Sequence, residues 1–266
     1  MAEILFSLDL EDHTDRYDES SRYPAQTTRL LDFCKERGIK GTIFTVARMA
    51  EYQPNLLRRA RDDGHEIACH SYDHTLLTHQ TPEQFRAKTK EAKDKLEQAM
   101  GAAIIGYRAP MFSLVPETNW ALDIIQELGF TYSSSVMPIK TPVSGWAGIS
   151  ATPFRWPNGL IEFPVPVANI GGKRVPYLGG IYMRYAPMAL IRHFIQQAPQ
   201  GSVLWTYCHP YDFDAEEKFY RFPDVPLWGS LLLHFNRRKT FAKLAEILSP
   251  APHKRFCDYA ADMASR

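Results

Sequence analysis

His70-Ser71-Tyr72-Asp73-His74 carries two imidazoles four residues apart. That spacing puts both rings on one side of a helical turn, where they can bind one metal ion. The pair directly follows Glu66-Ile67-Ala68-Cys69, a short apolar run that reads as a strand. Parallel α/β scaffolds place their sites at the C-terminal ends of strands. Taken alone, such a pair more often has a structural or surface role.

Three acids, Asp9, Glu11 and Asp12, fall within four residues at the end of an N-terminal apolar run. Exposed, they form a solvated turn. Buried, they need a cation or strong donors. Two imidazoles and one carboxylate are a common facial set for zinc, with positions left for water and substrate. A second carboxylate outside that set can act as general base toward water. Strand alternation puts Glu11 on the face of Asp9, whereas Asp12 has the commoner ligand side chain. Both remain candidate ligands. Arg108, in Tyr107-Arg108-Ala109-Pro110, can hold the base carboxylate ionised and oriented, or be a surface arginine before a turn proline. His209, in Tyr207-Cys208-His209-Pro210, can be a general acid or a satisfied structural histidine.

The elements that would position these groups alternate. Ile4–Leu8, Thr42–Val46, Glu66–Cys69 and Ile104–Arg108 read as strands. Helices are predicted over Thr27–Arg37, Asn55–Asp63, Pro82–Met100 and Glu117–Leu128, with Gly38, Gly64, Gly101 and Gly129 as their stops and Thr81 as an N-cap. This repetition implies a parallel sheet with helices outside, closed into a barrel or open. Residues 138–187 are Pro- and Gly-rich and read as short strands and loops forming part of a substrate wall. A helix at Pro187–Gln197, a strand at Val203–Tyr207 and a final helix over 230–247 follow, before a weakly patterned tail.

A length of 266 residues fits one such domain. The 31 basic and 30 acidic side chains leave a charge of +1, so nothing in the total calls for nucleic acid or an anionic membrane as the main partner. No apolar stretch approaches the roughly 18–20 residues of a membrane span. The N-terminus lacks a basic region and a small-residue cleavage site, so it does not read as a signal peptide. Cys34, Cys69, Cys208 and Cys257 are scattered without a CxxC, which suits reduced thiols in a cytoplasm.

Each motif is ambiguous alone, but their order is informative. Ser7-Leu8-Asp9-Leu10-Glu11-Asp12, His70–His74, Arg108–Pro110 and Cys208-His209 resemble the TFDDG, HSxxH, RxP and late LxH motifs of the polysaccharide deacetylase family. These are the carbohydrate esterases related to the rhizobial chitooligosaccharide deacetylases. Gly41-Thr42-Ile43-Phe44-Thr45-Val46 resembles the family's ATFFV strand and Gly64-His65-Glu66-Ile67 its GHEI, so the likeness covers about residues 3–215. Asp9-Leu10-Glu11-Asp12, Phe112-Ser113, Ser134-Ser135 and His209-Pro210-Tyr211 further resemble the DVED-type branch from bacterial exopolysaccharide and O-antigen gene clusters.

The resemblance implies an α/β fold: a single-domain distorted (β/α) barrel with a loop- and strand-rich insertion in the second half. The domain would span 1–266, with a core at 3–215, the insertion at 138–187 and a C-terminal helical extension at 216–266. It implies Asp9 as general base, Arg108 as its orienting partner, His209 as general acid, and His70, His74 and either Glu11 or Asp12 as ligands. The metal would be divalent, zinc first, with cobalt, nickel or iron compatible. The substrate would be an N-acetylated sugar, nucleotide-linked, lipid-linked or polymeric, with oligomeric state open. A related metal amidase on a small amide and an inactive carbohydrate-binding homologue are the alternatives. Relatives usually carry an aspartate near Tyr132-Ser133-Ser134, where this chain has Ser133. His209 therefore needs another orienting group, with Asp212 and Asp214 the nearest choices.

Overall fold

Both faces of the first strand are buried, which is the signature of a sheet with a packed interior and a helical exterior. In β1 (Glu3–Leu10), Phe6, Leu8 and Leu10 face the outer helices, while Leu5, Ser7 and Asp9 face inward. The computed structural model describes residues 2–14, 20–139, 141, 144–199, 202–223, 225–248 and 253–265. After β1 come α1 (Tyr23–Glu36), β2 (Gly41–Thr45), α2 (Met49–Tyr52), α3 (Pro54–Asp62), β3 (Glu66–Cys69), α4 (Pro82–Met100), β4 (Gly106–Tyr107), α5 (Ala121–Glu127) and β5 (Tyr132–Ser133). Thr81 caps α4 with a reciprocal Thr81–Gln84 capping box, and Gly101 ends it at φ +62°.

The second half is less regular. It contains β6 (Phe154–Arg155), β7 (Ile161–Glu162), the hairpin β8 (Val167–Ile170) and β9 (Lys173–Pro176), α6 (Gly180–Tyr185), α7 (Met188–Gln197) and β10 (Val203–Trp205). The main sheet runs β10-β1-β2-β3-β4-β5-β7-β6, parallel except for β6 against β7. Its ends approach without a backbone ladder between them. Trp205 on β10 donates its indole N–H to the carbonyl of Pro164, just past β7 (3.0 Å). The sheet is therefore a curled, incompletely closed barrel, as expected. The ladder at β4 is shorter than Ile104–Arg108 suggests. Pairing of β1 with the β10 side continues past Trp205, since Asp9 N–H donates to Cys208 O (2.8 Å).

Two expectations need correction. A helix, α6, lies inside 138–187. The helix expected over 230–247 is two, α8 (Leu227–His234) and α9 (Thr240–Ile247), broken where Asn236 takes φ +63°. The break falls in the polar run at 236–240, between the apolar stretches on either side. The tail contains α10 (Phe256–Ala264), which buries only Phe256 and Ala260 and so leaves little periodicity to read.

That helix is nevertheless structural. Phe256 enters the N-terminal mouth of the barrel and meets the rings of Phe163 (4.9 Å), Phe44 (5.5 Å), Trp205 (5.6 Å) and Tyr132 (6.0 Å). Its backbone N–H donates to Thr42 Oγ1 (3.0 Å). Phe256→Ala leaves a cavity in this aromatic cluster and should lower unfolding stability by about 3–5 kcal/mol. Urea denaturation checks this; a loss under about 1 kcal/mol would remove the tail from the core.

Candidate active site

The barrel's opposite mouth collects every sequence-predicted group except Asp12. β3 delivers His70, and the chain then turns sharply, with Ser71 at φ +67° and His74 at φ +61°. His74 N–H donates to Ser71 Oγ (2.9 Å), which fixes the turn. The two imidazoles therefore converge through a left-handed loop, not through the helical turn their spacing suggests.

The imidazoles meet Glu11. His74 Nε2 lies 2.6 Å and His70 Nε2 3.6 Å from Glu11 Oε2. One ligand atom from each residue falls within 4.8 Å of the others. Nδ1 of His70 sits 2.9 Å from the carbonyl of Arg108. A carbonyl only accepts, so Nδ1 carries the proton and Nε2 offers its lone pair, as a ligand histidine must. Glu11 Oε2 is buried and has no hydrogen bond of good geometry, a costly state unless a cation shares the space. Burial pushes the Glu11 carboxyl up, but His74, His70 and His209 outweigh it and hold the group well below the usual carboxylate range. The three residues fit a divalent cation; the donor set admits zinc and its neighbours.

Asp12 is the correction. One residue beyond Glu11, it points to the opposite side and accepts from Ser21 Oγ (2.9 Å) and Thr14 Oγ1 (3.3 Å). Alternation along β1 persists through Glu11, so Asp9 and Glu11 share the inner face.

Arg108 is fully buried beneath them. Its guanidinium pairs with Asp9 and donates to Ser7 Oγ (2.9 Å) and Ser134 Oγ (3.1 Å). Its carbon sits 3.7 Å from the centroid of Phe44 and 4.5 Å from that of Trp205. Burial pulls the Arg108 pKa down, and Asp9 offsets only part of that. Ser7 and Ser134 stand in the family-like motifs, but nothing in the sequence marks either as serving a distant arginine.

His209 faces the cluster from the β10 side, with Nε2 3.9 Å from Asp9 Oδ2 and 3.8 Å from Glu11 Oε1. Asp212 takes its Nδ1 at 2.9 Å and is itself paired with Arg184 Nε at 2.9 Å. Asp212 therefore fills the orienting role that Ser133 cannot, whereas Asp214 pairs with Arg22. Burial lowers the His209 pKa, but the Asp212 hydrogen bond and the charges of Glu11, Asp212 and Asp9 raise it to about 9. Tyr211 stacks on His209 at 4.6 Å and donates to Glu11 Oε1 (3.2 Å). Arg184 and Tyr211 were not singled out as site residues; only the spacing of Tyr211 from His209 hints at its place.

These groups floor a cavity of about 390 Å³, walled by Met111, Phe112, Met137, Ile181, Tyr182 and Tyr207. α6 forms one side of it. The close approach of α6 depends on Gly179, where a Cβ would fall 2.2 Å from the Tyr207 ring.

A cation site beside a separately held carboxylate and imidazole, at the open end of a parallel barrel, is an arrangement suited to metal-assisted hydrolysis. Comparison with known proteins agrees. The model of the family "Polysaccharide deacetylase" matches residues 15–133, and a "Domain of unknown function (DUF3473)" matches 134–261. A peptidoglycan-N-acetylglucosamine deacetylase of Bacillus cereus is 25% identical over 126 residues, which are 47% of this chain and 43% of that protein. A peptidoglycan-N-acetylmuramic acid deacetylase, PdaA, of Bacillus subtilis is 31% identical over 75 residues, 28% of each chain. The chain thus spans less than half the length of these relatives. In fold, a Mycobacterium smegmatis protein assigned as a polysaccharide deacetylase superposes with a TM-score of 0.66 at 20% identity, covering 99% of this chain and 90% of that one. Residues 15–133 thus match the polysaccharide deacetylase family, and the fold of the chain is one that such proteins share.

The geometry assigns the carboxylate ligand to Glu11. Glu11→Ala or His74→Ala should abolish stoichiometric zinc binding in calorimetry, whereas Asp12→Asn should retain it. Loss of zinc binding in Asp12→Asn with the fold intact would reverse the assignment.

Proposed function

We propose that the protein hydrolyses the N-acetyl group of an amino sugar, releasing acetate and a free amine. The observation that carries this is the division of labour at the barrel mouth. One carboxylate, Glu11, joins the two imidazoles, and another, Asp9, is held apart by Arg108.

His70, His74 and Glu11 would hold a divalent ion, which supplies Lewis acidity toward an amide carbonyl and a nearby water. Asp9, paired with and fixed by Arg108, accepts a proton from the attacking water. Because Arg108 is locked by two serines and an aromatic cage, the carboxylate cannot swing away to become a ligand. His209, with its pKa near 9, is protonated at neutral pH and gives that proton to the departing nitrogen. Asp212 fixes its tautomer and offsets its charge. The tetrahedral centre collapses to acetate and amine without a covalent enzyme intermediate.

Within this reading, the DVED-like acids favour the branch that acts in bacterial exopolysaccharide or O-antigen assembly. Zinc is the first candidate for the ion, and one catalytic domain accounts for both halves of the chain. The free thiols of Cys34, Cys69, Cys208 and Cys257 suit a cytoplasmic site of action.

Acetate release from a panel of N-acetylated nucleotide sugars, glycan fragments and small amides tests the proposal. Asp9→Asn should lower turnover by about 10²–10⁴-fold with metal content unchanged, and chelation should abolish activity reversibly. Near wild-type release by Asp9→Asn would remove Asp9 as the base; hydrolysis confined to small amides would replace the sugar. In the metal-free protein, Asp212→Asn should move the His209 titration down from about 9. An unmoved NMR titration curve would show that Asp212 does not support the acid.

A further inference from the structure

Helix α8 (Leu227–His234) turns large apolar side chains to water and buries small or polar ones. Its inward side is polar. Ser230 and His234 are buried, with His234 Nε2 accepting from Tyr220 N–H (3.1 Å) and Ser230 Oγ accepting from Phe222 N–H (3.2 Å). Behind them, Arg237 pairs with Glu217 (2.7 Å) and Glu217 meets His13 (2.8 Å). The outward side is apolar. Leu227, Trp228, Leu231 and Phe235 follow at i, i+1, i+4 and i+8, the spacing of one helical face. All four are exposed, Trp228 by 67% and Phe235 by 55%. Phe219 stacks beside Phe235 with ring centroids 6.5 Å apart, and exposed Tyr220 extends the patch. A contiguous exposed cluster of this kind marks an interaction surface.

Charge identifies what covers it. Lys218, Arg221, Arg238 and Lys239 flank the apolar face, all exposed and none in a salt bridge among the described residues. Aliphatic side chains, a tryptophan and tyrosines with four exposed cations as sequence neighbours, none of them in a salt bridge among the described residues, match the boundary of an anionic bilayer. There, apolar groups enter the acyl region and cations meet the headgroups. The patch also continues into the catalytic cavity. Leu233 of α8 lines it, as does Tyr182, and Tyr185 of α6 donates to Leu232 O (3.3 Å). Buried Arg184 donates to the carbonyls of Leu232, Leu233 and Phe235 at the end of α8, and pairs with Asp212.

We infer that α8 and the 218–222 segment dock the protein on an anionic phospholipid surface and present the cavity mouth to a membrane-anchored amino sugar. The docking stands on the surface itself; the lipid-linked substrate rests on the deacetylase reading.

Vesicle pelleting tests the docking with the full chain and no substrate. Wild type should sediment with phosphatidylcholine vesicles containing phosphatidylglycerol, far less with phosphatidylcholine alone, and be released by salt. Trp228→Ser with Leu231→Ser should weaken binding at least about tenfold, and Arg238→Glu with Lys239→Glu about as much. None of these residues belongs to the catalytic machinery, so acetate release from a soluble N-acetylated sugar should persist in both variants. Absence of binding by wild type, or equal binding by folded variants, overturns the inference. So does a wild-type dimer that Trp228→Ser with Leu231→Ser dissociates, since a second copy would then own the face. If vesicle binding holds but no N-acetyl sugar is hydrolysed, the function proposed above fails and the docking survives.

Discussion

A guanidinium sits fully buried in the centre of this barrel, and much of the site follows from it. An isolated charge there would be untenable, since removing one partner of a buried pair costs about 3–5 kcal/mol. Asp9 therefore has to point inward from β1, and Ser7 and Ser134 have to supply oxygens from either side. Phe44 and Trp205 take the guanidinium faces, which ties β2 and β10 to the same group. The pair joins residues 9 and 108 across the sheet, so it specifies the curl as well as the chemistry. It also decides ligation. With Asp9 committed to Arg108, the next inward carboxylate is Glu11, and it is the one that meets the imidazoles.

The strand-end placement of these groups makes the site largely legible in the sequence. Asp9, Glu11, His70, Arg108 and His209 all follow or end strands, and strands announce themselves by apolar runs of the right length. Parity favours Glu11 over Asp12, because the alternation of β1 persists one residue past its end at Leu10. A reading that expects the chain to turn there leaves both open. The HxxxH motif gave the right partners for the wrong local reason. Its convergence depends on left-handed conformations at Ser71 and His74, which non-glycine residues adopt rarely and which no propensity predicts. Such strain persists where surrounding contacts enforce it, and here the Ser71–His74 hydrogen bond and the proximity of Glu11 do so.

What the sequence concealed was long-range or inverted. Phe256 looks like one aromatic in an unpatterned tail because its partners are Thr42, Phe44, Tyr132, Phe163 and Trp205, scattered over the chain. The support of His209 is of the same kind: Asp212 is three residues away, but Arg184 behind it comes from α6, inside a stretch read as strands and loops. Helix α8 fails differently. Its apolar periodicity is genuine, and the normal inference that the apolar face points inward is reversed by Ser230, His234 and Arg237, which bury against Glu217 and His13.

The same inversion shows why an overall charge of +1 misleads. Total charge averages over surfaces that a ligand meets one at a time. Inside the barrel mouth Asp9 is paired with Arg108, and Asp212 with Arg184 and His209, which leaves Glu11 to meet the two imidazoles. Lys218, Arg221, Arg238 and Lys239, exposed and in no salt bridge among the described residues, are sequence neighbours of the exposed apolar residues of α8. Arg184 joins the two, since one guanidinium holds both the carbonyl end of α8 and the carboxylate that orients His209. A single buried side chain thus fixes the position of the acid relative to the apolar face. Whatever that face rests on is set in register with the reacting groups.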